Sequence, residues 1–186
     1  MTIQISRRLF TVSDYARMRE SGILAEDDRV ELIDGEVRLM SPIGPRHAAI
    51  VNRLDTLLRR YIGETAITSV QNPIQLHTYA EPQPDIAILH ARDDYYASAH
   101  PRPDDVLVVI EVADTSVDYD RDVKLPQYAD SCISEAWLVD INAQTVEQYS
   151  QPRNGTYRNK LVITDDETIT SLAEPRIQIW LVELFI

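Results

Sequence analysis

Val106-Leu-Val-Val-Ile-Glu-Val112 is apolar at every position but one. Apolar side chains on both sides of an extended chain mark a strand covered on both faces, hence an interior strand of a layered sheet. The exception, Glu111, stands near the C-terminal end of the run. Period-two counting puts it on the face of Val109 and Leu107. A carboxylate without a partner in such surroundings is costly, so Glu111 either reaches solvent at the strand end or belongs to a site.

Working outward, Ala66–Val70, Ile74–His77 and Asp85–Leu89 read as further strands, and a polar, proline-rich acidic loop, Ala91–Asp105, leads into the central run. After it, Asp114-Thr-Ser-Val-Asp-Tyr-Asp120 opens a helix that reaches about Asp130. Pro126 falls inside that pattern and would clash with the carbonyl four residues back, unless the regular helix starts near Lys124 or kinks there. Strand patterns return at Glu135–Ile141, Thr145–Ser150, Tyr157–Ile163 and Thr168–Leu172. The end of the chain, from Ile177 to Phe185, is apolar enough to dock on the rest.

On the N-terminal side, Thr11 to Glu20 forms a short helix with Thr11 or Ser13 as N-cap and Gly22 as its stop. Arg29 to Met40 is a hairpin turning at Asp34-Gly35. From His47 to Tyr61 the period becomes helical, with Ile50, Leu54, Leu57, Leu58 and Tyr61 on one stripe, Pro45 at the first position and Gly63 at the end. The expectation is a mixed α/β sheet, rich in strands, with two principal helices. No repeat or flexible linker divides it, so residues 1–186 read as one domain.

The 186 residues suffice to bury roughly 70% of the unfolded surface without staples. Composition excludes disordered and fibrous architectures, with 44% hydrophobic and 26% charged residues. Cys132 is the lone cysteine, which excludes an internal disulfide and fits a reducing compartment. No apolar run is long enough for a membrane span, and Met1 to Arg8 has no signal-peptide stretch. The expected compartment is the cytoplasm. The chain carries 18 Lys and Arg against 30 Asp and Glu, a net charge of −12. That balance argues against a protein that coats DNA through a general basic surface, and it raises the prospect of acids gathered around a cation.

Three positions break an apolar or helical pattern together. Asp85 follows Pro84 at a strand start, Glu111 interrupts the central run, and Lys124 comes 13 residues after Glu111. Two carboxylates at adjacent strand ends can chelate a hard divalent cation, which polarises a phosphoryl group and acidifies bound water; a nearby ammonium can orient that water or stabilise developing charge. Each has a plainer reading: turn chemistry for Pro-Asp, solvent for Glu111, a solvated helix residue for Lys124. Glu31 reads as an exposed hairpin position, His47 as a helix-terminal residue that could also act near a site, and Tyr128 as packing on the helix face of Lys124. Ser116 lacks a Gly-x-Ser-x-Gly context, which excludes a serine hydrolase of that type. The four histidines have no zinc spacing, and there is no glycine-rich phosphate loop.

Six fragments in order carry a resemblance: Glu31-Leu-Ile-Asp-Gly-Glu36, Met40-Ser-Pro42 with His47, Pro84-Asp-Ile-Ala87, Glu111-Val-Ala-Asp-Thr-Ser116, Lys124-Leu-Pro-Gln-Tyr-Ala129 and Glu135-Ala-Trp-Leu-Val-Asp140. Together, over nearly the whole chain, they resemble the Uma-type family of restriction endonucleases, a former domain of unknown function in the PD-(D/E)XK restriction-endonuclease-like superfamily. The resemblance implies a restriction-endonuclease-like mixed central sheet flanked by helices, with additional β-hairpins. It implies metal ligation by Asp85 and Glu111, with Glu31 as the additional upstream acid and the Val112 carbonyl assisting. One departure stands out. The superfamily pattern has lysine two residues after the second acid, where this chain has Ala113, so Lys124 on the next helix takes that role by resemblance. The role of Tyr128 stays open.

The resulting expectation is a Mg²⁺-dependent phosphodiesterase, with Mn²⁺ as substitute, acting on nucleic acid and most readily on DNA, as a homodimer that cuts two strands by symmetry. Arg46, Arg53, Arg59 and Arg60 are the candidate local basic footprint. The alternatives are a catalytically inactive interaction protein on a nuclease scaffold, or a structural dimer with merely solvated acids.

Overall fold

The computed structural model describes residues 7–185, so most of the stretch read against a signal peptide lies outside the described residues. The central feature is a six-stranded sheet, ordered β3-β4-β5-β6-β7-β8. Its strands are β3 (Ala66–Val70), β4 (Ile86–His90), β5 (Val106–Ala113), β6 (Glu135–Asp140), β7 (Thr145–Arg153) and β8 (Thr156–Ile163). Every pairing is antiparallel except β5 with β6. That parallel step requires a crossover, and the crossover carries α3 (Val117–Tyr119), a π-helical turn (Asp120–Lys124) and α4 (Leu125–Asp130).

The central run lies inside the sheet as its composition predicts, with Val108, Val109 and Ile110 fully buried. On one face Ile86, Ile88, Val108, Ile110 and Val112 pack with α2 (Pro45–Ile62) and with the chain end, β10 (Gln178–Trp180) and α5 (Leu181–Leu184). On the other, Ala87, Leu89, Val109 and Ala113 pack with Leu125 and Tyr128 of the crossover. The face assigned to Leu107 needs correction. The β4–β5 register passes from Ile88↔Val108 to Leu89↔Val106, skipping Leu107. This bulge turns Leu107 toward the α2 face, while Glu111, beyond it, stays with Val109.

Outside the sheet, α1 (Val12–Glu20) starts at Thr11, whose hydroxyl accepts from the Asp14 N–H while Asp14 answers at the Thr11 N–H. The hairpin of β1 (Val30–Ile33) and β2 (Glu36–Leu39) turns at Asp34 and Gly35, both with positive φ. Gly35 is also required sterically, because a Cβ there would lie 2.6 Å from the Leu9 Cβ. In α2 the buried stripe is Val51, Leu54, Leu57, Leu58 and Ile62, with Ile50 and Tyr61 at its margins. A further hairpin pairs β10 with β9 (Thr168–Thr170).

Two expected elements differ. Ile74–His77 is no strand: Ile74, Gln75 and Leu76 donate to the carbonyls of Pro82, Pro101 and Ala80, so its backbone is satisfied by loops rather than a ladder. The helix expected up to Asp130 is interrupted. Within it the Leu125 N–H donates to the Asp120 carbonyl, one residue longer than an α-helical bond. That wider turn lets Pro126 fall in the first turn of α4, where its missing N–H costs nothing.

Candidate active site

The end of β5, the start of β4, the β1 strand and the N-terminus of α2 meet at one end of the sheet, beneath the π turn. They enclose a cavity of about 570 Å³. Glu31, Asp85, Glu111, Val112 and Lys124, the residues singled out in the sequence, all line it, and so does His47. The register explains the first pair. Ile86 faces Ile110 across β4 and β5, so the next step outward sets Asp85 beside Glu111.

Glu111 is 1% exposed. Its Oε1 accepts from the Tyr128 hydroxyl at 2.5 Å and from Lys124 Nζ at 2.8 Å. Lys124 Nζ also donates to the Gln83 carbonyl at 3.2 Å and lies 3.5 Å from Glu31 Oε2. Glu31 is fixed in turn by the Gln83 N–H on Oε2 and the Tyr119 hydroxyl on Oε1, both at 3.1 Å. Asp85 takes a third arrangement: Val112 N–H donates to its Oδ2 at 2.9 Å, and His47 Nε2 lies 3.0 Å from its Oδ1. Asp122, a possible surface partner of Lys124, is not among the lysine's contacts. The π turn explains why. It rotates Asp120 and Lys124 inward, and both are buried.

The electrostatics follow from burial among like charges. Burial pushes the Glu111 carboxyl well above the ordinary range, against the pull of Lys124. Burial likewise pushes Asp120, which accepts from Ser116 Oγ at 2.6 Å, up to about 6. Burial alone would push the Lys124 ammonium down, but Glu111, Glu31, Asp120 and Asp85 outweigh it and hold it above its ordinary value. The four carboxylates around it thus favour the charged form of Lys124. Burial would raise Asp85, yet His47, Lys124 and the Val112 N–H hold it below the ordinary range. The hydrogen bond to Asp85 raises His47 in return, against its own burial.

The cavity thus presents oxygen donors and more acids than cations, the donor chemistry that Mg²⁺ or Mn²⁺ prefers. Among the described residues no three Asp, Glu, His or Cys side chains converge as a ready-made cage.

Of the candidate footprint, Arg46 reaches the rim, bonded to Asp114 at 3.2 Å and Asn142 at 3.0 Å. Arg59 instead pairs with Asp55 and lines a separate cavity, and Arg53 and Arg60 do not line this one. Among the lining residues that escaped the sequence reading are the polar or charged Arg29, Gln83, Tyr119 and Asp120. Gln83 stands directly before Pro84-Asp85, and Tyr119 and Asp120 precede Lys124 by one helical turn, so proximity to the recognised fragments was their only signal.

A mixed sheet with paired carboxylates and a lysine at one end defines the class of restriction-endonuclease-like proteins. The chain belongs to the Uma2 family, described as "Putative restriction endonuclease", whose model matches residues 12–182. This agrees with the resemblance carried by the sequence fragments. Among solved structures it is similar to a protein of Anabaena variabilis described as a putative nuclease belonging to DUF820, with a TM-score of 0.71 at 15% identity, covering 95% of this chain and 97% of that one. No curated protein matches the sequence. No helix among the described residues is long and apolar enough to cross a membrane.

Proposed function

We propose that the protein is a Mg²⁺-dependent endonuclease acting on DNA, in the cytoplasm and as a homodimer whose symmetry suits the cutting of two strands. The observation that carries this reading is the burial of Lys124 between Glu111 and Glu31, next to Asp85, at the mouth of a sheet. An ammonium and several carboxylates are expensive to desolvate together, and a fold that needed only a core would fill this space with apolar side chains.

Asp85, Glu111 and the Val112 carbonyl would hold the metal, with Glu31 assisting; the ion supplies polarisation of the phosphoryl group and a more acidic water. The chain's own residues do the rest. His47 and the Val112 N–H orient Asp85, keeping it ionised. Tyr128 and Lys124 fix Glu111 Oε1 and leave the carboxylate one direction to face the cavity. Lys124 positions or activates the attacking water and, as a cation, counters charge that develops on the phosphate.

Plasmid cleavage in Mg²⁺ or Mn²⁺ tests the reading, together with calorimetric Mn²⁺ binding. Asp85→Asn is expected to abolish both while the protein stays folded. Lys124→Ala is expected to lower cleavage by about a thousandfold yet keep Mn²⁺ affinity within about tenfold, since a cation is no metal ligand. Wild-type cleavage retained by Asp85→Asn would overturn the assignment. A wild-type protein that neither binds Mn²⁺ nor cuts would favour the inactive scaffold.

A further inference from the structure

The basic side chains lining the cavity are not equivalent. Lys124 is committed to Glu111 and Glu31, and His47 to Asp85. Arg29 also lines the cavity, yet among the described residues no carboxylate lies within ion-pair distance of it. Its Nη1 donates instead to the Ser41 carbonyl at 3.0 Å, and its own carbonyl accepts from the Met40 N–H at 2.9 Å. A guanidinium offers five N–H donors, so this brace leaves most of them available. With several acids in the same wall, a free guanidinium held by backbone rather than by a carboxylate is the arrangement of a group kept for an incoming anion. Its positive charge is felt inside the site, where it opposes protonation of His47.

The segment that braces Arg29 has a second property. Leu39, at the end of β2, is 87% exposed, and Ile43 is 40% exposed; both line the mouth of the same cavity. An apolar lip beside a free guanidinium, above an acidic floor, matches a ligand that joins an anion to a flat, weakly polar group. A polynucleotide has that chemistry, with a phosphate followed by a sugar and base. Free phosphate would use the arginine but gain nothing from the lip.

Building on the nuclease reading, we infer that Arg29 grips a substrate phosphate at the mouth of the site while Leu39 and Ile43 pack against the neighbouring nucleotide. Arg29 is then a positioning residue, and the bound substrate is a polynucleotide rather than an isolated phosphate ester.

Binding of a fluorescent DNA duplex, measured by anisotropy in Ca²⁺ between about 50 and 200 mM salt, tests this. Arg29→Ala is expected to weaken binding on the order of tenfold at the low-salt end and to reduce the slope of log affinity against log salt by about one. Arg29→Lys should restore the slope. Leu39→Ser should weaken binding by about threefold at every salt concentration, with the slope unchanged, because an apolar contact releases no counterion. Arg17→Ala, on α1, outside the cavity lining and paired with Asp14, should match wild type. An unaltered slope in Arg29→Ala, or an equal change in Arg17→Ala, would overturn the inference. Those outcomes presuppose that wild type binds DNA; if it does not, the nuclease reading itself falls.

Discussion

Glu111 and Glu135 sit on neighbouring strands, both almost completely buried, and the chain treats them in opposite ways. Glu135 opens β6 on the α2 face. It accepts hydrogen bonds from Trp137 Nε1 and Gln148 Nε2 at 2.6 Å, from Ser171 Oγ at 2.9 Å, and from the backbone N–H groups of Leu172 and Ala173 at 2.8 Å. Glu111 closes β5 on the opposite face. It has a tyrosine and a lysine on one oxygen, and further acids nearby. A buried carboxylate surrounded by neutral donors ties segments together; here Glu135 fastens the 171–173 turn to the sheet. A buried carboxylate placed among other carboxylates is a poor fastener and a good receiver of cations. The first arrangement serves the fold, and the second makes sense only with chemistry in view.

Removing each carboxylate should separate the two roles. Glu135→Ala strands five donors in the interior, and although such losses do not add, about 4 kcal/mol of stability should go. Urea denaturation at pH 7 measures it. Cleavage by the remaining folded fraction, assayed at low temperature, should be unchanged, since none of the five donors lines the cavity. A loss below about 1 kcal/mol would mean that Glu135 is not the fastener its hydrogen bonds describe.

The active-site acids should respond with the opposite sign. Burial lifts Asp120 from 3.8 to about 6. Below pH 3.8 it is protonated whether folded or not. Between 3.8 and 6 the folded protein keeps a proton that the unfolded chain has released, so stability falls as pH rises through that window and remains lower above it. Asp120→Asn removes this effect and can still accept from Ser116. It should stabilise the protein by about 2 kcal/mol at pH 7 and by nearly nothing at pH 3.5. Denaturation midpoints at the two pH values decide it; an equal or negative change at pH 7 would show that Lys124 already neutralises the cluster.

Much of this was legible along the chain because local signals fixed it. Asp34-Gly35 demands its turn, the Pro45 to Gly63 stretch carries both helix punctuation and period, and Glu111 is conspicuous because everything around it is apolar. Asp85 and Lys124 were grouped with Glu111 because each breaks its local pattern, and the family fragments gave that grouping its roles, since nothing in the spacing says that a crossover folds back over the strand end. What escaped depended on geometry that no short window contains. The bulge that flips Leu107 arises from pairing with β4. The π turn that aims Asp120 and Lys124 inward is a compromise between Pro126 and the packing of Leu125 and Tyr128. Arg29 looks like an ordinary hairpin charge until Ser41, twelve residues away, is seen to hold it at the cavity. Glu135 lies inside a matching fragment with one of its partners, Trp137, but the others come from β7 and the 171–173 turn, which that fragment does not reach.

The finest contrast between the two carboxylates lies in single donors. Ser171→Ala removes one of five hydrogen bonds from Glu135, and four remain to hold the charge. With the bond that Ser171 Oγ accepts from the Glu174 N–H also lost, the expected cost is about 1 kcal/mol, the low end for two hydrogen bonds. Tyr128→Phe removes one of two donors from Glu111 Oε1 and keeps the buried ring, so packing barely changes. The Lys124 contact then carries that oxygen alone, and the cost should be nearer 1.5 kcal/mol. The side effect distinguishes the sites further. Without the hydroxyl, Glu111 is less firmly oriented, and cleavage should drop by several-fold at saturating metal, whereas Ser171→Ala should cut at the wild-type rate. Paired denaturation curves and cleavage rates for the two variants measure all four quantities. Equal stability losses with equal rates would mean that Glu111 is held as Glu135 is, by structure alone, and the division between a fastening carboxylate and a working one would collapse.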